Sequence, residues 1–390
     1  MFLTYLGNRL SNVPDSRKLI YLCVHGGSEM FKTSQSNVKY LVFSAVLLTP
    51  WVLGLAPSRA QAVLPALTLP NVGPTLKELA DARGLLIGGA IAAGVLDPDE
   101  PELAQGVARE YNLIVTENAM KWGPLNNAPG QFNFTLAEFM MGFAAKNKQK
   151  VRGHTLVWHE SLPRYVSAIT DKAEMMAELK DHVQTVVKHF KGRIPIWDVV
   201  NEAVSDLPGF PMRETVFSQV IGPEYIEMAF RWAHEADPDA KLFYNDYNTD
   251  GINGKSDAVY ELVKRLLAKG VPIHGVGFQA HIDINFSVEG SRMRENLERF
   301  KKLGLDVQLT EVDVIFRGDA PKAEKLERQA KVYADLMTAC LSVKCSAFVT
   351  WGFTDLYSWR SSGYPLLFDD DYKPKPAYFA LRDVLIKAPR

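Results

Sequence analysis

The chain has 390 residues, 47% hydrophobic and 23% charged, with 44 Lys and Arg against 45 Asp and Glu for a net charge of −1. This composition excludes a fibrous or disordered chain, and the balance of charge leaves no basic field of the kind that nucleic acid requires. The length suits a single large α/β barrel.

The first sixty residues differ from the rest. Residues 41–55 form an uncharged, mostly apolar run of 15, preceded by Lys32 and Lys39 and followed by Ala60-Gln61-Ala62. Charged, apolar and small residues in that order are the pattern of a secretory signal peptide. A membrane helix needs roughly 20 apolar residues, so an anchor is only the alternative. Residues 1–29 read as neither leader nor domain, and Met30 opens a conventional signal peptide by itself. The expected organisation is an N-terminal extension over 1–29 from a start placed too early, a signal peptide over 30–62, and one domain over 63–390. Cleavage after Ala62 removes six Lys and Arg and two Asp and Glu, a net of +4, and leaves a mature chain of −5. The expected location is secreted or periplasmic, with no membrane association of the mature form.

Of three cysteines, Cys23 falls in the leader. Cys340 and Cys345 lie five apart, a spacing that suits a short-loop disulfide in an exported chain and two buried free thiols equally. No Cys/His cluster has zinc-ligand spacing, so neither a metal site nor another cofactor is expected.

Beyond Ala62, apolar runs alternate with helical patterns. Strands are predicted at 85–91, 113–117, 151–158, 196–200, 242–245, 275–280, 306–311 and 347–351. Over 171–190, Met175, Leu179, Val183, Val186 and Phe190 recur at steps of three and four, the stripe of a helix lying on a core. Asp171 and Glu174 resemble a capping box at its start. Similar helices are predicted at 224–236, 256–269, 292–302 and 323–341. Eight strands separated by helices predict parallel pairing with crossovers, and hence a (β/α)8 TIM barrel filling one domain. A doubly wound sheet is the rival. It calls for a glycine-rich phosphate turn after an early strand, and Gly88-Gly89 lacks the full pattern.

Polar residues stand at the ends of most strands, where a barrel presents its active site. Strand two ends in Glu117, Asn118 and Lys121. Strand three carries His154, Trp158 and His159. Strand four reads Trp197-Asp198-Val199-Val200-Asn201-Glu202, and strand five ends Asn245-Asp246-Tyr247-Asn248. Strand six supplies Gln279 and His281, strand seven Glu311 and Asp313, and strand eight Trp351 followed by Trp359 and Arg360. Each has a plainer explanation alone: a bonded core histidine for His154 or His281, a solvated charge for Lys121, barrel filling for Trp351. Together they exceed what a purely structural barrel needs. Glu202 and Glu311 lie at the ends of strands on opposite sides of the mouth. Such a pair suits glycoside hydrolysis, in which one carboxylic acid protonates the leaving oxygen and the other carboxylate attacks or activates water. The tryptophans offer flat apolar platforms for sugar faces, and the Asn, Gln and His side chains offer hydrogen bonds to hydroxyls.

Residues 153–159, 197–203, 244–248, 277–281, 310–313 and 350–360 resemble glycoside hydrolase family 10, the retaining endo-β-1,4-xylanases. Residues 366–369 and 373–378 resemble its C-terminal end, so the likeness runs over about 75–385. The resemblance implies Glu202 as general acid/base and Glu311 as nucleophile. Asn201 is then the partner of the sugar 2-hydroxyl, and His281 with Asp313 orients Glu311. Glu117, Asn118, Lys121, His154 and Trp158 line the non-reducing-end subsites. Gln279, Trp351 and Trp359 complete the walls, Tyr247 stands near the cleavage point, and Asp198 and Asn245 support from behind. The implied partners are xylan and xylo-oligosaccharides, bound by a monomer without nucleic acid. A β-1,4-glucanase or mixed β-glycanase on the same barrel, or a polysaccharide-binding barrel without catalysis, are the alternatives. The family commonly reads Trp-His-Ser-Gln-x-Pro after strand three, whereas this chain has Trp158-His159-Glu160-Ser161-Leu162-Pro163. Residues 123–132 also depart from the usual form. Both departures put fine specificity, xylose against glucose included, in question.

Overall fold

The computed structural model describes residues 73–92, 94, 101–284 and 290–389. The extension and signal peptide expected over 1–62 lie outside the described residues. Eight parallel strands form the barrel: β1 (Leu86–Ile91), β2 (Leu113–Thr116), β3 (Lys150–Val157), β4 (Ile196–Asn201), β5 (Lys241–Asp246), β6 (Gly275–Phe278), β7 (Asp306–Ile315) and β8 (Ala347–Thr350). Each pairs with its neighbour in chain order, and β8 pairs with both β7 and β1, closing the sheet. Eight long helices follow the strands in turn: α1 (Pro101–Glu110), α2 (Thr135–Lys146), α3 (Lys172–His189), α4 (Tyr225–Ala236), α5 (Gly254–Ala268), α6 (Gly290–Lys301), α7 (Lys322–Ser342) and α8 (Pro376–Lys387). The barrel is the fold that the alternating pattern predicts.

Strand alternation divides the core in two. Ala90, Leu113, Val115, Ala347 and Val349 pack together as one cluster. Their strand neighbours Ile91, Ile114 and Phe348 join the larger cluster with the helix residues Leu179, Val183 and Val186. Successive side chains on a strand point to opposite faces, so the small cluster fills the barrel and the large one cements helices to sheet. Arg152, also buried, is neutralised by Asp198, with Nε 2.8 Å from Oδ2, and it donates to Gln308 as well. Unpaired, such a charge could not stay inside.

Local signals behave as the residue types dictate. The Asp171 carboxylate accepts from the Glu174 N–H at 2.8 Å and starts α3. Asn253 caps α5 through Ser256, which starts that helix two residues before its predicted beginning. Cys340 and Cys345 are joined in a disulfide. Among the described residues, no helix is long and apolar enough to cross a membrane.

Two strands differ from expectation. The run expected at 275–280 stops at Phe278, because Ala280 adopts a left-handed φ of +59°. The chain then resumes as a short strand, His281–Asp283, beside the extension of β7 to Ile315. Glu311 and Asp313 therefore share one strand and one face. Register shifts occur between His154 and Val157, Asp198 and Val200, and Leu309 and Val312. Such irregularities re-aim side chains, and all three lie just where the polar strand ends begin.

Candidate active site

Glu202 follows β4 directly, with a left-handed φ of +59°. Its carboxylate has three donors: Trp158 Nε1 at 2.9 Å on Oε2, and Gln279 Nε2 at 3.0 Å and Asn201 Nδ2 at 3.1 Å on Oε1. The strand-end residues of β3, β4 and β6 thus converge on one carboxylate.

Glu311 is buried on β7. Its Oε1 accepts from Asn245 Nδ2 at 2.7 Å, and its Oε2 lies 3.2 Å from His281 Nε2. Asn245 also donates to Asn201 Oδ1 at 2.9 Å, while its own carbonyl accepts from Thr310 at 2.7 Å. A continuous hydrogen-bonded path therefore runs from Glu311 through Asn245 and Asn201 to Glu202.

His281 bridges Glu311 to Asp313, its Nδ1 lying 2.9 Å from Oδ2. Burial alone lowers the pKa of this imidazole, but the charges of Asp313 and Glu311 outweigh it and push it up to about 10. At neutral pH it is an imidazolium donating from both nitrogens. Burial disfavours the Asp313 carboxylate, yet His281, Arg360 and Trp359 together hold its pKa below the ordinary value. Arg360 donates at 2.6 Å and Trp359 Nε1 at 2.9 Å.

His154 lies under this pair, Nδ1 3.1 Å from Asp198 Oδ2 and 4.0 Å from Glu311 Oε1. Trp351 stands edge-on to His154 and His281, at 5.1 and 6.3 Å, and Trp359 lies 5.2 Å from His281. Trp359 is 64% exposed, an open aromatic face at the mouth. Lys121 donates to Asn118 Oδ1 at 2.9 Å and sits 4.9 Å over the Trp158 ring. Burial lowers its pKa against the pull of Glu311, Glu117, Glu160 and Glu202, and burial raises that of Glu117. Tyr247 donates to Asp206 and accepts from Arg213 at 3.0 Å. Ser161 is exposed with a φ of +58°, its carbonyl accepting the Gly123 N–H at 2.8 Å. Hydrogen bonds link Glu202, Glu311, His281, Asp313, Asn201, Gln279, Trp158 and Trp359, with Asn245 joining the two glutamates and His154 4.0 Å from Glu311. Lys121 and Trp351 flank them, with Glu117 and Asn118 around Lys121, while Tyr247 reaches Glu202 through Arg213.

Residues 75–384 match the model of glycosyl hydrolase family 10. The chain belongs to that family. It is 44% identical over 318 residues to endo-1,4-beta-xylanase B of Thermotoga neapolitana, covering 80% of this chain and 91% of the relative. A beta-1,4-xylanase of Dictyoglomus thermophilum is 41% identical over 290 residues, covering 70% and 82%. Xylanase 10B of Thermotoga petrophila RKU-1, crystallised with xylobiose, superposes with a TM-score of 0.78 at 46% identity, covering 81% of this chain and 98% of that one.

In this family 10 barrel, sequence reasoning missed several groups around the glutamates. Asn245 touches Glu311 itself, where a supporting position behind the site was expected. Arg360, Arg213 and Thr310 carry no role in the sequence reading. Adjacency of Arg360 to Trp359 was the only available signal for it. Arg213 lies in a loop with no pattern at all.

Proposed function

We infer that this family 10 chain is an endo-1,4-β-xylanase, cleaving internal bonds of xylan with retention of configuration. The observation that carries this reading is the path from Glu311 through Asn245 and Asn201 to Glu202, in a chain whose curated relatives are named xylanases. Glu311 attacks the anomeric carbon while Glu202 gives its proton to the leaving oxygen. Glu202 then takes a proton from water, which displaces Glu311 from the sugar.

The imidazolium of His281 sets a fixed positive charge against Glu311 Oε2, and Asn245 fixes the other oxygen, so the nucleophile is held in one orientation. The Asn201 amide bonds both Glu202 and Asn245, which supports it as the partner of the sugar 2-hydroxyl. Glu117, Asn118, Lys121, His154 and Trp158 bind the sugars on the non-reducing side. Trp351, Trp359 and Gln279 wall the cleavage point, and Tyr247 stands beside the leaving sugar. One chain supplies every group named here, which supports action as a monomer. Export through a signal peptide cut after Ala62 brings it to a polymer too large to enter a cell.

Digestion of purified xylan with analysis of the products tests the assignment. Release of reducing ends and a falling chain length are expected, with a much lower rate on carboxymethyl-cellulose. No reducing sugar from xylan refutes it.

A further inference from the structure

Glu202 occupies a backbone conformation, φ +59°, that non-glycine residues rarely adopt and that surrounding structure has to sustain. Its side-chain direction depends on that turn. Three contacts hold it. The Glu202 N–H donates to the Asn245 carbonyl at 2.9 Å, and the Ala203 N–H donates to the Tyr244 hydroxyl at 3.0 Å. The third comes from Arg213, whose Nε donates to the Glu202 carbonyl at 2.8 Å. One terminal nitrogen of the same guanidinium donates to the Val204 carbonyl at 3.2 Å and to the Tyr247 hydroxyl at 3.0 Å.

The loop beyond Glu202 is folded to deliver this side chain. The Arg213 N–H donates to the Ala203 carbonyl at 2.7 Å, that of Ser205 to Pro211 at 2.8 Å, and Val204 bridges Met212 antiparallel. Arg213 therefore returns onto the very turn from which the loop departed. Around it, Asp206 accepts from Tyr247 and from Lys255 Nζ at 3.0 Å, and Lys255 reaches Asp246 at 3.1 Å. A rigid planar fork is suited to two carbonyls at once, which a single ammonium is not.

We propose that Arg213 is a positioning residue for the acid/base step, acting through the backbone of Glu202 and coupling that turn to Tyr247. This rests on the reading of Glu202 as acid/base. Without the guanidinium, the carboxyl group drifts from the leaving oxygen, while Glu311, held by Asn245 on β5 and by His281, stays in place. Proton donation matters for poor leaving groups and hardly at all for dinitrophenolate.

The test measures kcat/KM for aryl β-xylobiosides from phenyl to 2,4-dinitrophenyl in wild type, Arg213→Met, Arg213→Lys and Glu202→Ala. A displacement of about 1 Å typically costs about 10²-fold, so Arg213→Met should lose about that much on the phenyl substrate and less than about 3-fold on the dinitrophenyl one. Arg213→Lys should recover part of the loss, and it serves alone if Arg213→Met fails to fold. Equal losses on both substrates, or none on either, overturn the proposal. If Glu202→Ala itself shows no dependence on the leaving group, the acid/base reading has failed instead.

Discussion

Asn245 holds Glu311 in place, its Nδ2 lying 2.7 Å from the carboxylate oxygen. Every polar atom of that amide is used, since Asn201 and Thr310 take the remaining bonds. Gly277 on the next strand makes room for it: a Cβ there would lie 2.2 Å from Asn245 Oδ1 and 2.8 Å from Thr310 Cγ2. Gly277→Ala should therefore push the amide off Glu311 and lower kcat on xylan by about 10²-fold. Stability should fall by about 1–3 kcal/mol, the usual consequence of leaving a buried polar group unpaired. Steady-state kinetics with thermal unfolding reads both, and an unchanged kcat would mean Asn245 does not orient the nucleophile.

Removing the nucleophile leaves a small cavity beside His281. Glu311→Ala should lose at least about 10³-fold in activity. Azide should enter the cavity and attack 2,4-dinitrophenyl β-xylobioside in a single displacement. The expected product is the α-configured xylobiosyl azide, identified by NMR coupling constants. A β-azide product would place the nucleophile elsewhere.

The imidazolium at His281 makes stability depend on alkaline pH. An ordinary histidine titrates near 6.5, whereas this one is pushed up to about 10 in the fold. A raised pKa stabilises the folded state fully below the ordinary value, and the contribution is lost as pH climbs towards the folded one. The Tm advantage of wild type over His281→Gln should accordingly be full at pH 6 and shrink steadily between about 6.5 and 10. A difference that stays constant across that window contradicts a protonated His281.

The fold was legible because its signals are local. Apolar runs such as 113–117 and 347–351 are strands by composition, and Asp171 begins a helix by its own chemistry. The two glutamates were legible as polar endings to apolar strands. What stayed hidden depends on partners distant in the chain. Arg152 is a cation inside a strand, and its distant partners Asp198, 46 residues away, and Gln308 explain its burial. Lys375 pins the loop bearing Trp359 through Asp355 and the carbonyls of Tyr364 and Leu366, yet in the sequence it is one more charge beside proline. The early end of β6 rests on a left-handed alanine held by Asp250, whose carboxylate accepts the Ala280 N–H at 2.9 Å. Alanine carries no mark of that conformation, as glycine does.

The proposed export predicts a chemical trace. Ala60-Gln61-Ala62 follows the uncharged run over 41–55, so N-terminal sequencing of protein recovered outside the cytoplasm should begin at Val63. A start upstream of residue 41 would indicate a retained anchor.

The double displacement through Glu311 can be caught directly. Incubation with 2,4-dinitrophenyl 2-deoxy-2-fluoro-β-xylobioside should inactivate the enzyme with release of one dinitrophenolate per active site, because the fluorine slows both steps while the dinitrophenyl leaving group keeps formation of the glycosyl-enzyme fast. Mass spectrometry of a proteolytic digest should then find the fluoroxylobiosyl group on the peptide containing Glu311, esterified to that residue. A label on any other carboxylate, or turnover with no covalent adduct, would contradict Glu311 as the nucleophile of a retaining xylanase.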